Sequence, residues 1–443
     1  AQSTKPFSTE KEVFLVEMTE FIVGADKKEG KPFMEEVFAP IWNGPYYSEQ
    51  QRVRIVQVAN FMLKKRFDAF PNFKDYLSSI TAFPIRSRVP AEFDTWLAGV
   101  ESQVQSGRKQ NVVAFLNTCA NLFRDNTMFV SASTKWRSAA SEFTFVFDSV
   151  PKIKFPKADL VCTAKGDSAV IFATEGVYWP TLELWEGKGG KVTWERAGLK
   201  PGATYATWTH GYAIKMKGSS FEVDSVLFND PYFDKSLLGK VTDKVLANVD
   251  AEGASYPRFE SYDRRMKIRE IAEGIDFEGG FGIEGAKLQG YGTKEEPAYL
   301  TFYRNKKPFI ITRGVYFTIE PDRIASDDVA VMIMMDTDSI YHPSVGMRFI
   351  KSKKQLSMIK SDQGLGKAPF YNTFHQLDMY FETIVWKQGD PVLQLGSMQG
   401  SSQTRASFES FNYFKDKRYM GMLGIDAVHP LVRLNDFSKV KEG

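Results

Sequence analysis

The spacing of apolar residues changes once along this chain, close to residue 127. Before that point, apolar side chains recur at i, i+3, i+4 and i+7, which is the period of amphipathic helices. After it, short alternating or continuous apolar runs end at Gly, Pro, Asp or Asn, which is typical of strands and tight turns. The pattern predicts an α+β fold, with a helical domain followed by a large, mainly antiparallel or solenoidal β region.

The helical domain, residues 1–126, carries recognisable start signals. Thr9 with Glu12 and Ser48 with Gln51 have the spacing of capping boxes. Pro90 precedes another amphipathic pattern, at the first helical position that proline tolerates. These signals predict five or six short helices, and their short connections favour antiparallel neighbours.

The β region is predicted to form two domains, residues 127–255 and 256–443. No helix long enough for a βαβ crossover separates the apolar runs, which favours antiparallel pairing. An Asp-Ser pair followed by a small apolar residue recurs at irregular spacing, and it keeps a β-solenoid with repeated turns as the alternative. The longest purely apolar run is VAVMIMM, which is too short to cross a membrane as a helix.

Composition sets broad limits on function. The 443 residues are 43% hydrophobic and 25% charged, which is typical of a globular chain of two or three domains. The net charge of +3 gives no reason to expect a nucleic-acid partner. Cys119 and Cys162 are interpreted as two buried thiols, with a disulfide left open. No cofactor is predicted.

Tryptophan is concentrated in one stretch of the first β domain, as Trp179, Trp185, Trp194 and Trp208. Exposed rings on a sheet face stack on sugars or hold apolar chains, whereas buried rings fill the core of a sandwich. Glu183, Glu186 and Glu195 lie nearby and offer an acid/base pair for a carbohydrate-active enzyme.

Side-chain alternation makes the tryptophan prediction specific. If residues 178–185 form one uniform strand, Trp179 and Trp185 share a face with Thr181 and Glu183. The opposite face is mainly apolar. We therefore expect at least one of the two rings to be exposed and to line a groove for a glycan, a lipid or a partner chain, although Pro180 can shift the register.

Asp336 and Asp338 follow the apolar run VAVMIMM, with His342 close behind. A D-x-D pair at the end of a buried strand holds Mg²⁺ or Mn²⁺ in nucleotide-sugar transferases, and His342 is a further candidate ligand beside Asp336 or Asp338. The alternative is a solvated turn in which Asp satisfies its own backbone. A transferase also needs βα units near its N-terminus, where this chain predicts only helices.

Gly280, Gly282 and Gly285 match the pattern G-x-G-x-x-G. A dinucleotide site requires a strand before this pattern and a helix after it, and the residues after the third glycine do not form a helical pattern. We interpret the glycines as bends in twisted strands and predict no nucleotide binding.

Three segments, DTDSIYHPSVGMRFI, APFYNTFHQLDMYFETIVW and ASFESFNYF, resemble large envelope proteins of Bacteroidota-type bacteria with a helical N-terminus and β repeats. The resemblance implies an extracytoplasmic location, in the periplasm or at the outer-membrane surface, and a chain that continues beyond Gly443. The chain begins at Ala1 without Met, which fits removal of a signal peptide or excision from a longer protein.

The sequence thus favours a non-enzymatic envelope protein, a β-rich scaffold or binding module for a partner protein, glycan or lipid. No catalytic residue is assigned. The two alternatives are a carbohydrate-active or carbohydrate-binding protein that uses the tryptophan-rich stretch, and a metal-dependent transferase at Asp336 and Asp338.

Overall fold

A computed structural model describes residues 5–88, 90–233, 235–246, 251, 253–397, 406–411, 416–425 and 427–441. The α+β prediction is confirmed, because helices occupy the N-terminal segment and antiparallel strands occupy most of the remaining chain. The chain forms two compact units, where the sequence predicts three domains. Unit 1 comprises Ala1–Tyr262 with Ile283–Ala286, and unit 2 comprises Asp263–Gly282 with Lys287–Gly443.

Unit 1 begins with the helical segment. Its helices are α1 (Lys11–Ala25), α2 (Lys27–Pro32), α3 (Ala39–Asn43), α4 (Glu49–Lys64), α5 (Lys74–Ile85), α6 (Pro90–Ser106) and α7 (Lys109–Asp125), with π-helical turns at Phe33–Phe38 and Ala69–Phe73. Helix α7 ends at Asn126, which adopts a left-handed conformation with φ of 59°. Asn tolerates that conformation, so the helix stops there and the first strand follows at once.

One of the two predicted capping boxes is present. Ser48 Oγ accepts a hydrogen bond from the Gln51 amide at 3.2 Å, and Gln51 Oε1 accepts one from the Ser48 amide at 3.0 Å. These two bonds satisfy amide groups that the first turn of α4 would leave without partners.

The capping box predicted at Thr9 is wrong. Helix α1 begins one residue later than the box requires, so that Glu10 is its N-cap residue, with no side-chain cap bond. Ser8 holds the preceding chain: its Oγ accepts a hydrogen bond from the Glu10 amide at 3.2 Å, and its own amide donates to the Glu17 carboxylate of α1 at 2.7 Å. The helix entry is therefore held through Ser8 and not through Thr9.

Strands β3 to β10 of unit 1 form a meander, and β1 and β2 lie beside it. The strands are β1 (Thr127–Val130), β2 (Lys135–Ser138), β3 (Thr144–Phe147), β4 (Pro151–Ala164), β5 (Asp167–Trp179), β6 (Leu184–Thr193), β7 (Tyr205–Lys215), β8 (Ser220–Asn229), β9 (Leu237–Lys244) and β10 (Arg258–Ser261). From β3 to β10 each strand pairs antiparallel with the next. Strand β2 joins β1 to the second half of β4.

Aromatic packing joins the helices to the first strands within unit 1. The ring of Phe115 on α7 lies 5.8 Å from that of Phe145 and 5.3 Å from that of Phe147, edge to face in both cases. Gly99 on α6 lies against the Phe147 ring so closely that a Cβ there would come within 2.2 Å of it. The helical segment and these strands therefore share a core, which a boundary drawn from apolar period alone does not reveal.

Unit 2 holds the remaining strands. They are β11 (Met266–Ala272), β12 (Ile275–Glu284), β13 (Lys287–Tyr291), β14 (Ala298–Arg304), β15 (Lys307–Gly314), β16 (Tyr316–Ile319), β17 (Arg323–Met335), β18 (Asp338–Ile350), β19 (Gln355–Lys360), β20 (Phe370–Asn372), β21 (Leu377–Tyr380), β22 (Thr383–Lys387), β23 (Gln394–Gly396) and β24 (Ser407–Ser410). Helices α8 (Asp416–Gly421) and α9 (Pro430–Lys441) come after them.

The sheet of unit 2 is also antiparallel. Its main order is β11, β12, β14, β15, β17, β18, β19, β22, β23. Strands β20, β21 and β24 extend from the first half of β18. Among the strand pairs described within each unit, none is parallel, so the antiparallel alternative holds and the solenoidal one does not.

Both cysteines are buried free thiols, as expected. Burial raises the pKa of the Cys162 thiol to about 12 and that of Cys119 above its ordinary range. Both side chains therefore act as small apolar groups in the core of unit 1.

Candidate functional site

Three of the four candidate tryptophans belong to the core of unit 1. Trp185 and Trp194 are fully buried, and Trp208 is 5% exposed. Trp185 Nε1 donates to the Tyr212 hydroxyl at 3.2 Å, and Trp194 Nε1 donates to the Pro257 carbonyl at 3.0 Å. The prediction that these rings bind a ligand is therefore wrong for all three, because protein atoms already surround them.

Residues 178–185 belong to two strands and not to one, so side chains do not alternate between two faces across the whole segment. A turn over residues 180–183 separates β5 from β6, and Glu183 adopts a left-handed conformation with φ of 51°. Tyr178 consequently pairs with Trp185 across the hairpin and shares its face. The turn reverses the chain and brings Trp185 to the apolar side, where a uniform strand would have turned it outward.

Trp179 is the one candidate ring that is half-buried. Its Nε1 donates to Glu186 Oε2 at 2.8 Å, and the Lys152 ammonium lies 4.8 Å from its ring centre. Asp148 holds that ammonium in turn, at 2.6 Å. The polar edge of the ring and a cation–π position over it are thus occupied by the protein itself.

The carboxylates near these rings do not converge on one point. Glu186 binds Trp179, Glu183 pairs with Lys217 at 3.3 Å, and Glu195 accepts a hydrogen bond from the Gly202 amide at 3.1 Å. Each therefore has a local structural partner, and the geometry offers no support for an acid/base pair around the tryptophans.

The three candidate metal ligands do not form one group. Asp336 lies in the turn of the β17–β18 hairpin, with φ of 53°. Asp338 pairs with Met335, and this pair closes the turn. His342 lies four residues further along β18, roughly 13 Å from Asp338 at about 3.3 Å per strand residue. Among the described residues, no three His, Cys, Asp or Glu side chains come together to hold a metal ion.

His342 is committed to the core of unit 2. The side chain is fully buried, and its Nδ1 accepts a hydrogen bond from the Ser344 amide at 3.1 Å. Nε2 therefore carries the proton, and it donates to the Ala368 carbonyl at 2.9 Å. Burial lowers the pKa of this imidazole below its ordinary value. Both ring nitrogens are therefore occupied, and His342 serves as a neutral structural residue in place of the predicted ligand.

The glycine motif lies on a hairpin. Gly280 and Gly282 belong to β12, and Gly285, with φ of 56°, forms the turn into β13. A strand and not a helix comes after the motif, so the arrangement that places a pyrophosphate at a helix N-terminus is not formed here. This placement agrees with the interpretation of the glycines as bends between strands.

An ion cluster around the buried Asp243 in unit 1 was not predicted from the sequence. Arg196 binds Asp167 at 2.9 Å and also forms a close ion pair with Asp243, which is 1% exposed. Burial raises the pKa of Asp243 to about 6 despite that pairing. Because the three residues come from separate elements, no local spacing reveals them, and their contacts tie the turn after β6 to β5 and β9.

The outer face of β17 was also missed. Val329, Val331 and Ile333 point into the core of unit 2 and are at most 1% exposed. Met332 alternates with them and is 38% exposed. The second half of β17, residues 329–335, is therefore apolar on both faces. On its outer face Met332 is exposed, while Ala330 and Met334 are half-buried.

Met332 belongs to a line of apolar side chains that crosses the sheet. Ile311 on β15 pairs with Met332, Met332 pairs with Tyr341 on β18, and Tyr341 pairs with Tyr371 on β20. We call these four residues the outer row. At about 4.8 Å between strands, its backbone spans roughly 14 Å.

The outer row is accessible and partly preorganised. Tyr371 is 37% exposed, while Ile311 and Tyr341 are half-buried. The Tyr341 and Tyr371 rings are stacked, with centres 6.5 Å apart and planes inclined by 23°. Neighbouring pairs hold each side chain in place, so the row presents a flat apolar strip that needs little ordering before it binds.

The sequence contained a signal for this face. A run in which odd and even positions are both apolar, such as VAVMIMM, is typical of a strand covered on both sides. Pairing with Ile311, Tyr341 and Tyr371 is not readable from sequence, because those residues come from three other strands.

Comparison with known proteins gives no further guidance. No protein-family model, no curated protein and no solved structure matches the chain. Among the described helices, none is both long and apolar enough to cross a membrane. The resemblance to bacterial envelope proteins therefore stays a prediction.

Proposed function

We propose that this chain is a non-enzymatic binding module of the bacterial cell envelope, and that unit 2 docks a partner protein on the outer row. The observation that supports the proposal is the second half of β17, residues 329–335, which is apolar on both faces and leaves Met332 exposed on the outer one. Exposed contiguous apolar surface on a folded chain is typical of an interaction site. The envelope location rests on the resemblance in sequence.

The chemistry of the outer row favours a protein as its occupant. Methionine and tyrosine are enriched in the cores of protein interfaces, where charged residues are depleted. The row contains no charged residue, and it ends in the polar side chains of Thr301 and Asp378, which pair with Ile311 and Tyr371. An apolar centre with polar ends is the usual anatomy of such an interface.

Other occupants fit this surface less well. A flat sheet face does not enclose a small molecule, which needs a concave site. Asp378 lies at one end of the row and Arg313 lies two residues from Ile311 on β15, so the surface lacks the cluster of cations that an anionic lipid surface attracts. We therefore commit to a partner protein of different sequence, and we treat a second copy of this chain as an outcome that the test distinguishes.

Site-specific photo-cross-linking in the native host tests the proposal. A benzophenone side chain replaces Tyr371 in the outer row or, as a control, Tyr232, which is 55% exposed in unit 1. We expect one discrete adduct with another envelope protein from position 371 and none from position 232.

A second substitution shows whether the adduct depends on the outer row. Met332→Glu should abolish it, because docking would bury an unpaired carboxylate. Val392→Glu is the matched control, since Val392 is 63% exposed in a loop of the same unit, outside the row. Loss with both variants, survival with Met332→Glu, an adduct between two copies of this chain, or no adduct at position 371 would contradict the proposal.

A further inference from the structure

The helical segment of unit 1 contains a cleft of about 740 Å³. One wall is a single face of α1, on which Glu17, Glu20, Phe21 and Gly24 follow one another at i, i+3, i+4 and i+7. The chain from Asp68 to Phe70 also lines the cleft. Its volume lies within the roughly 300–1,000 Å³ of typical small-molecule sites.

The N-terminal chain that lines the cleft is held firmly in place. The Phe7 amide donates to Asn60 Oδ1 at 2.7 Å, and Asn60 Nδ2 donates to the Phe7 carbonyl at 3.0 Å. The Ser8 amide donates to Glu17 Oε2 at 2.7 Å. These bonds position Phe7 and Glu17 before any ligand arrives, so the cleft is largely preformed.

The lining is acidic. Glu17, Glu20 and Asp68 face the cleft together with the Lys5 ammonium. Lys5 lies 3.9 Å from Glu17, and Lys109 lies 3.8 Å from Asp68. Within the part of the chain that the structure describes, Glu20 forms no ion pair. The cleft therefore carries excess negative charge, which attracts cations and repels anions.

Aromatic rings supply the apolar part of the lining. Phe21 packs edge to face against Phe7 and Phe73, with ring centres 5.6 Å and 5.0 Å away. The Lys74 ammonium already lies 5.3 Å from the centre of the Phe70 ring. The same kind of contact is open to a ligand cation that enters beside these rings.

We propose that this cleft binds an organic cation, namely a protonated amine joined to an apolar chain. The carboxylates recognise the ammonium group, and the phenylalanine rings contact the apolar chain. The same chemistry is presented by a free alkyl amine and by a lysine side chain of a peptide. This site is independent of the outer row, so either proposal can fail without the other.

Three probes that share a hexyl chain and differ in charge test the recognition. Calorimetric titration of the full chain with hexylamine, 1-hexanol and hexanoate should give binding in that order, with hexylamine about tenfold tighter than hexanol. Added salt should weaken the binding of hexylamine and leave the binding of hexanol unchanged. Equal binding of hexylamine and hexanoate, or no binding of hexylamine, would overturn the proposal.

Substitutions at Gly24 locate the ligand in the cleft. A Cβ built at Gly24 has no atom within 4 Å, and the residue is helical, so larger side chains are tolerated there. Gly24→Leu should occupy part of the cleft beside Phe21 and weaken the binding of hexylamine by about tenfold or more. Gly24→Ala should leave that binding nearly unchanged. Undiminished binding by a folded Gly24→Leu chain would place the ligand elsewhere and overturn the proposal.

Substitution of the carboxylates separates charge recognition from shape. Glu20→Gln should weaken the binding of hexylamine and leave that of hexanol unchanged. Glu12→Gln, on the same helix but outside the cleft, should change the binding of neither probe. An equal effect of the two variants would contradict the assigned role of Glu20.

Further titrations with cadaverine and with Nα-acetyl-lysine amide, which keeps its side-chain ammonium group, identify the source of the amine. Tighter binding of cadaverine supports a free amine as the ligand, and tighter binding of the amide supports a lysine of a peptide. Failure of both to compete with hexylamine would contradict a common site for these cations.

Discussion

Trp179 and Trp185 lie six positions apart in sequence, and the first is half-buried while the second is fully buried. Trp185 is fully buried and hydrogen-bonded to Tyr212, so Trp185→Ala should lower the free energy of unfolding by about 3–5 kcal/mol. Trp179→Ala removes one hydrogen bond and one cation–π contact and should cost at most about 2 kcal/mol. Urea unfolding curves compare the two variants, and equal losses would contradict the assignment.

At this scale the sequence indicated residue types better than residue environments. Alternation assigns sides correctly within a strand, but the assignment reverses when a turn intervenes, as it does between Trp179 and Leu184. The candidate ligands Asp336 and His342 fail for a related reason. Proximity in sequence along an extended strand means separation in space.

The buried imidazole of His342 makes stability depend on pH. Its pKa is lowered in the folded chain, whereas the unfolded chain takes up the proton near the ordinary value of 6.5. Stability from this group is present above that value and is lost as the pH falls from there towards the lower folded pKa. Urea unfolding at a series of pH values should show a weaker pH dependence for His342→Gln than for the natural chain. An unchanged dependence would show that His342 does not titrate as described.

At the scale of single elements, the capping box of α4 offers a matched comparison. Ser48→Ala removes a cap bond and should cost about 0.5–2 kcal/mol of stability. Thr9→Ala also removes a hydroxyl group, but it does so before α1, where no side-chain cap bond forms. Its free energy of unfolding should stay within about 0.5 kcal/mol of that of the natural chain. A loss at Thr9 as large as that at Ser48, measured by thermal or urea unfolding, would contradict the capping assignment.

The two faces of β17 should also respond differently to truncation. Ile333→Ala creates a cavity in the core of unit 2 and should cost about 2–5 kcal/mol. Met332→Ala shortens a partly exposed side chain and should cost about 1 kcal/mol or less. Chemical denaturation of the two variants provides the measurement. A cost at Met332 that matches the cost at Ile333 would mean that the outer row is already covered.

Elements were predictable from sequence where local signals and packing agree. The change from helical to strand period falls between Asp125 and Thr127, as expected, because amphipathic α7 ends at Asn126 just before β1. The start of α1 was not predictable from capping-box spacing, because Ser8 and not Thr9 bonds the Glu10 amide and the Glu17 carboxylate. The spacing of a capping box does not describe this arrangement.

At the scale of the whole molecule, the α+β class followed from the apolar period, but the division into compact units did not. Residues 283–286 return to unit 1, where Glu284 pairs with Arg258 at 3.3 Å. Phe115 and Phe147 likewise place the helical segment and the first strands in one core. Such contacts between distant parts of the chain determine the compact units, and no period in the sequence records them.

The outer row of unit 2 is proposed to bury its apolar side chains against a partner protein. The most direct measurement is calorimetric titration of the full chain with the purified partner that cross-links to position 371, repeated at several temperatures. Burial of the outer row predicts a negative heat-capacity change, which is the marker of apolar burial. It also predicts an affinity that Met332→Glu lowers about tenfold or more and that Val392→Glu leaves unchanged. The same affinity for the natural chain and for Met332→Glu would contradict it.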